Sequence, residues 1–369
     1  MINKLYIFAN TGKMHKLPVS GGQTSVRRVM AGFKGEGIDV IPIRRHRATS
    51  ISRFGHKMEV LYFAVYDLMK MIFKMLFARR KNAAFMQVTF AGSLVPYELI
   101  RTCVAKCMGY QCVMYLQGGK MMDTLPNGSK FHKWMYRKNA NLQELILFEG
   151  MEAIELTSNF TSTKLVYFPS YIDDEHIPIH CPVKPSDKWN IMYFGRITCK
   201  KNILVIIETF NRVSAMLPQE KIHLTLIGDG PRDKYRQTVD VALAESPYRE
   251  NIERYGLSPF DFIKEKMQSA HFFLFPTETK AEGHSNALNE AMSHGLIPVV
   301  SNFHFNASIV GNEKFVVEGY DPQDYAERIV SLIKSGEMAN YSSEVWERVK
   351  KLYARSVVLY DVAEQIKNL

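Results

Sequence analysis

The sequence predicts an α/β protein built from two doubly wound parallel-sheet domains in tandem. Three observations carry this. The chain has 369 residues, too many for one ordinary core and suited to two domains of about 150–200 residues each. Short, near-continuous apolar runs alternate with helix-length amphipathic stretches, the pattern of a parallel sheet covered on both faces. A polar, Pro-rich segment without helical period, 168–182 (FPSYIDDEHIPIHCP), divides the alternation into halves and reads as an interdomain connection.

In the first half the strand candidates are 4–9, 38–43, 84–89, 111–116 and 142–147, with helices over 23–35, 58–80, 92–108 and 127–139. In the second half strands are expected at 189–194, 222–227, 251–255, 271–275, 297–301 and 314–317. Its helices fall at 202–216, 231–245, 259–268, 285–294 and 322–335, and two more, near 342–352 and 354–367, close the chain. Ligands of open α/β sheets bind beyond the carboxyl ends of the strands, so a cleft between two such domains is the expected active site.

With 46% hydrophobic and 23% charged residues, the composition excludes disorder, collagen-like sequence and low complexity. The five cysteines contain no CxxC pair and read as buried thiols of a reducing compartment. The opening MINKLYIFAN runs straight into a strand-like stretch, so no signal peptide is expected. No apolar run reaches membrane-spanning length. A cytoplasmic protein follows as the expectation. The net charge of +10 is unevenly distributed: residues 1–180 carry 24 Lys+Arg and 13 Asp+Glu, whereas 181–369 carry 23 and 24. The first half therefore calls for an anionic partner.

Several loops carry residues suited to chemistry. In 271–301 an apolar strand ends at Pro276, a polar loop follows, and a helix begins near Ser285 or Asn286. Glu282 lies in the loop and Glu290 in the second turn of the helix, and the amides of Gly283, His284, Ser285 and Asn286 form the helix start, an anion site. Two carboxylates beside such a start suit sugar and ribose hydroxyls around a diphosphate; as an isolated pair they would equally be solvated surface charges. In FGRITCKKN (194–202) a glycine turn presents Arg196 and Lys201, a forked donor and a point charge suited to a diphosphate. LIGDGP (226–231) ends a strand in a glycine turn, yet no stretch has the GxGxxG fingerprint or a Walker A motif, which argues against dinucleotide oxidoreductases. In the first half Gly21 and Gly22 precede a helix, and Gln117 ends the fourth strand before Gly118-Gly119.

The order G-R-x4-K-N, G-D-G-P and E-G-x6-E-A-M-x2-G-x2-P-V-V-S resembles glycosyltransferase family 4 (group 1), retaining nucleotide-sugar-dependent enzymes of the GT-B fold. The resemblance covers most of 189–335, and more loosely the first half. It implies two Rossmann-like domains facing each other across a cleft: an acceptor-binding domain at 1–170, a linker at 171–186, a nucleotide-sugar-binding domain at 187–352, and a C-terminal helix at 353–369 returning to the N-domain. It implies that Arg196 and Lys201 hold the donor diphosphate, Glu282 the transferred sugar, Glu290 the ribose, the Gly283–Asn286 turn sugar and phosphate, and Tyr255 the base. Gly21, Gly22 and Gln117 join the donor-binding set. Many members carry a His where this sequence has Gln117, and Gln cannot take a proton near neutral pH. EGHS replaces the commoner E-G-F-G and puts His284 beside the sugar. The family implies no metal and no cofactor beyond the donor, a UDP-sugar or GDP-sugar, and a saccharide or lipid-linked glycan acceptor of bacterial surface polysaccharide assembly.

The basic residues of the first half include Arg44, Arg45, Arg47 and Arg53, then Lys70, Lys74, Arg79, Arg80 and Lys81. The helix at 58–80 is apolar on two stripes, which fits either a core helix or one on a membrane surface or lipid acceptor. An anionic membrane surface met by 44–81 is the expected partner. Nucleic acid is not, because no recognition helix, zinc module or RNP-like strand accompanies the charge. Two other functions fit the pattern less well: a UDP-N-acetylglucosamine 2-epimerase-like isomerase of the same fold, and a non-catalytic polyanion-binding protein.

Overall fold

The computed structural model describes residues 1–15, 21–50, 52–76, 82–92 and 94–369. The described chain divides into two compact units, one of Met1–Ser170 with Arg355–Leu369, the other of Tyr171–Ala354.

The first unit holds a six-stranded sheet of β1 (Lys4–Ala9), β2 (Asp39–Arg44), β3 (Ala83–Thr89), β4 (Gln111–Leu116), β5 (Leu145–Phe148) and β6 (Lys164–Tyr167), in the order β2-β1-β3-β4-β5-β6. All of its pairings are parallel. Every residue of β3 and β5 is buried, as near-continuous apolar strands between helical layers require. The helices are α1 (Gly21–Gly35), α2 (Arg53–Leu76), α3 (Val95–Cys107), α4 (Lys120–Thr124), α5 (Lys130–Asn141) and α6 (Met151–Ser158). Because β1 lies between β2 and β3, the chain reverses its direction of winding there, a topological switch point.

The second unit holds β7 (Trp189–Phe194), β8 (Ile222–Ile227), β9 (Ile252–Tyr255), β10 (Phe272–Phe275), β11 (Ile297–Ser301) and β12 (Val316–Val317), in the order β12-β11-β10-β7-β8-β9. This too is wholly parallel. Its helices are α7 (Ile203–Met216), α8 (Lys234–Ala244), α9 (Phe260–Ser269), α10 (Asn286–Ser293), α11 (Asn306–Val310), α12 (Pro322–Lys334) and α13 (Met338–Leu352). The switch point falls between β7 and β10. The chain enters and leaves this unit side by side, since the Ile172 amide donates to the Tyr353 carbonyl at 2.9 Å and Ile172 bridges Ala354. The last helix, α14 (Arg355–Lys367), belongs to the first unit, where it lies against α1 and the Ile2 amide donates to the Lys367 carbonyl at 2.6 Å.

The helix expected at 58–80 starts earlier, at Arg53, and is described to Leu76; Arg79, Arg80 and Lys81 lie outside the described residues. It is not a core helix. Only Asp67, Met71 and Met75 are buried, while Phe54, Met58, Leu61, Tyr62, Val65, Met69 and Phe73 are each at least half exposed.

Candidate functional site

Loops after β7, β8 and β9 stack backbone against backbone in the second unit. The amides of Gly195 and Ile197 donate to the carbonyls of Ile227 and Asp229 at 3.0 and 2.9 Å, and the Gly228 amide is shared between the Tyr255 and Gly256 carbonyls. Gly228 has φ +136°, and a Cβ there would overlap the Gly195 carbonyl; one on Gly230 would overlap that of Ile197. Only glycine permits so close an approach. The buried Tyr193 hydroxyl donates to the Arg196 carbonyl at 2.9 Å, fixing the turn from which the exposed Arg196 side chain projects. Among the described residues no carboxylate pairs with Arg196.

From that turn the chain makes a 3-10 turn, Cys199–Lys201, and enters α7 through Asn202 in the left-handed region (φ +51°). The Asn202 amide group donates to the Pro276 carbonyl at 2.8 Å. Three donors of the loop after β10, the Glu278 amide and the hydroxyls of Thr277 and Thr279, converge on the Lys200 carbonyl. The result brings two residues 81 apart in sequence into contact: Lys201 Nζ lies 2.6 Å from Glu282 Oε2, with both side chains largely buried. The ammonium also stands 4.6 Å above the Phe275 ring, a cation–π arrangement. This ion pair marks the switch point of the second sheet.

Ser285 caps α10, its hydroxyl accepting from the Leu288 amide at 3.4 Å. Gly283 and Asn286 flank it half-buried, and Glu290 follows, half-buried, in the second helical turn. His284, read from the sequence as a side chain beside the sugar, is buried. Its ring is 4% exposed, with Nε2 2.8 Å from Asn289 Oδ1 and an edge contact to Tyr353 at 4.6 Å. At the end of β9 the Tyr255 hydroxyl donates to Glu253 at 3.0 Å and accepts from Lys266 at 2.8 Å, so its ring is held in place. Sequence reasoning passed over three residues here. Asn202 and Thr277 tie the loops together, and Leu257, 90% exposed, follows Tyr255-Gly256. An Asn just before a helix and an apolar residue in a glycine turn are the signals that would have found them.

In the first unit Gly21 and Gly22 begin α1, both exposed. Gln117 is 5% exposed, and its Nε2 lies 3.5 Å from the Gly22 carbonyl. The buried Glu149 carboxylate holds this corner, accepting from the Tyr115 hydroxyl at 2.9 Å and the Gly118 amide at 2.8 Å. Gln117 and the Gly21–Gly22 turn are thus brought together within one unit, as Arg196, Lys201, Glu282 and the α10 start are in the other.

Residues 188–335 match the family model described as "Glycosyl transferases group 1". A similar curated protein is the putative colanic acid biosynthesis glycosyltransferase WcaL of Escherichia coli K12, 26% identical over 201 residues, 52% of this chain and 47% of that one. The chain spans less than half the length of the curated relatives it matches. Among solved structures, sucrose-phosphate synthase from Thermosynechococcus elongatus superposes with TM-score 0.73 at 13% identity, over 99% of this chain and 98% of that one. Anabaena Alr3699/HepE in complex with UDP gives 0.72 at 12% identity, over 99% and 100%. The chain therefore has the GT-B fold of two Rossmann-like domains, and its segment 188–335 is similar to the group 1 glycosyl transferases.

Proposed function

We propose that this chain is a retaining glycosyltransferase that moves a hexose or N-acetylhexosamine from a nucleotide diphosphate sugar, a UDP-sugar in preference to a GDP-sugar, to a saccharide acceptor. The observation that carries the reading is the Lys201–Glu282 pair at the switch point of the segment similar to group 1 glycosyl transferases, with Arg196 free of any carboxylate beside it. In this reading Arg196 and Lys201 neutralise the donor diphosphate as it departs. Glu282 holds the Lys201 ammonium in place and accepts from hydroxyls of the transferred sugar. Glu290 accepts from the ribose hydroxyls, and the Gly283–Asn286 turn borders sugar and phosphate. The Tyr255-Gly256 turn borders the base; that Alr3699/HepE was solved with UDP favours a uridine donor. The acceptor hydroxyl attacks the anomeric carbon from the side the diphosphate leaves, and its proton passes to the departing phosphate oxygen. Gln117 orients a hydroxyl and takes no proton. No step requires a metal ion.

The acceptor is read as a lipid-linked glycan of surface polysaccharide assembly, met at an anionic membrane on its cytoplasmic face. The exposed apolar stripe of α2, bordered by exposed Arg53, Lys57 and Lys74, supports an interfacial rather than a spanning contact. Among the described residues no helix is long and apolar enough to cross a membrane.

A thermal-shift panel of UDP-, GDP-, ADP- and dTDP-sugars tests the donor site, with stabilisation by one nucleotide class expected. Proton NMR of the product then reads the anomeric configuration. Conversion of the donor in the absence of any acceptor would instead make the chain an isomerase.

A further inference from the structure

Four arginines gather at the carboxyl ends of β1, β2 and β3, the switch point of the first sheet. Arg44 is the last residue of β2 and pairs with Ala9, the last of β1; the Arg45 amide donates to the Ala9 carbonyl at 2.8 Å. The Arg45 guanidinium lies 5.6 Å from the ring of Phe90, just past the end of β3. Arg101, reaching in from α3, lies 4.4 Å over the ring of Phe8, next to last in β1. Arg47 donates through Nε and Nη2 to the Asn10 side-chain oxygen at 2.8 and 3.2 Å, with the Asn10 amide oriented to present it.

These groups make no close ion pair. Among the described residues no carboxylate stands within 4 Å of any of the four. Arg101 is 6% exposed, and its Nε and that of Arg44 are buried without a hydrogen-bond partner. Two buried carboxylates, Glu98 and Asp67, act on Arg45 and Arg101 from beyond ion-pair distance. Asp67 takes the His46 ring at 2.5 Å and the His46 amide at 2.8 Å. Glu98 is 2% exposed and burial raises its pKa. Burial also lowers Arg101, to about 10, so its guanidinium is still charged at neutral pH. A buried guanidinium with an N–H left unpartnered is costly, and open α/β sheets take their ligands at this place in the fold.

We propose that Arg44, Arg45, Arg47 and Arg101 form a phosphate subsite that receives a phosphate or diphosphate group of the acceptor. Planar forks offering several N–H donors match phosphate oxygens, and the four guanidinium groups outnumber the two carboxylates, Glu98 and Asp67, that act on them. The assignment of that phosphate to the acceptor rests on the transferase reading above; the anion site itself does not.

The test titrates inorganic pyrophosphate into the whole chain at saturating UDP, which keeps the donor diphosphate site filled, and follows thermal unfolding. Pyrophosphate is expected to raise the Tm of the wild type. Arg45→Met and Arg101→Met should each weaken that effect by about tenfold or more, while the UDP-induced shift is retained. An unchanged wild-type Tm, variants that keep wild-type pyrophosphate affinity, or an equal effect of sulfate at matched ionic strength would overturn the subsite. If no nucleotide stabilises the wild type, a pyrophosphate response that persists in Arg196→Ala would leave the subsite standing and remove the transferase reading. Glycerol 3-phosphate and micellar farnesyl diphosphate separate the two sources of the group: binding of the first points to a soluble phosphate ester, binding of the second alone to a lipid diphosphate, and either sustains the subsite.

Discussion

Lys201 and Glu282 form an ion pair with Nζ and Oε2 2.6 Å apart, the side chains only 10% and 18% exposed. Breaking a pair so far removed from water leaves one charge uncompensated, at a cost of about 3–5 kcal/mol. Lys201→Ala is expected to lower the Tm by several degrees and to abolish transfer. Glu282→Gln, which keeps a hydrogen-bond acceptor for the ammonium, should unfold less readily than Lys201→Ala. Equal stability of the two variants, measured by urea unfolding, would show that Lys201 is held by something other than this pair.

Arg196 presents the opposite case. Its side chain is exposed and bound to no carboxylate among the described residues, so Arg196→Ala should alter stability by no more than about 0.5 kcal/mol. Nucleotide-sugar affinity should nonetheless fall by at least about tenfold, roughly 1.4 kcal/mol. Calorimetric titration of UDP against both proteins separates the two effects, and Glu290→Ala should likewise weaken UDP binding.

Gly228→Ala is expected to separate the loops without touching any charged group. The new methyl would overlap the Gly195 carbonyl at a backbone conformation, φ +136°, that L side chains rarely adopt. Loss of UDP-induced stabilisation with Arg196 and Lys201 intact would identify the stacked glycine turns as the support for both cations. Retained UDP binding would contradict that role.

The pH dependence follows from two buried histidines in the second unit. Burial pushes both His271 and His294 down to about 4, below the ordinary value near 6.5. Between these limits the unfolded chain binds protons that the folded chain refuses, so stability rises with pH. On acidification from about pH 6.5 toward 4, each histidine removes up to about 1.4 kcal/mol per pH unit. Urea unfolding from pH 4.5 to 7 should show this slope, and His294→Gln should flatten it.

For α2, Leu61→Glu and Phe73→Glu are expected to leave the Tm unchanged, since both side chains are at least half exposed, and to lower binding to vesicles of anionic lipid in a flotation assay. Unaltered flotation would remove the membrane reading of this face.

Much of this architecture is written in local pattern. The strands β1, β4, β7, β8 and β11 have the predicted limits because each is a buried β-branched or aromatic run bounded by polar or glycine residues. The sequence reading missed β6, since KLVY is a short, half-exposed edge strand, and also α4 and α6, of five and eight residues. Arg196, Lys201 and Glu282 could be picked out from loops between strand and helix. Their pairing could not, because contact across 81 residues is decided by strand order. The same holds for α2, whose second apolar stripe reads equally as core until its neighbours are known. It holds for His284, and most of all for Arg101, a residue inside an ordinary helical pattern whose burial over Phe8 comes only from packing.

The neighbouring ends of the second unit make Tyr171–Ala354 a contiguous insertion, and leave the first unit in two pieces of chain. Completion of that first unit must wait for Arg355–Leu369 to be synthesised, long after its sheet has left the ribosome and after the inserted unit is able to fold. A stop codon placed at Arg355 would therefore damage the unit whose sheet is made before the other. It would strip α14 from α1 and release the Ile2 amide, while the later-made half kept every residue it needs.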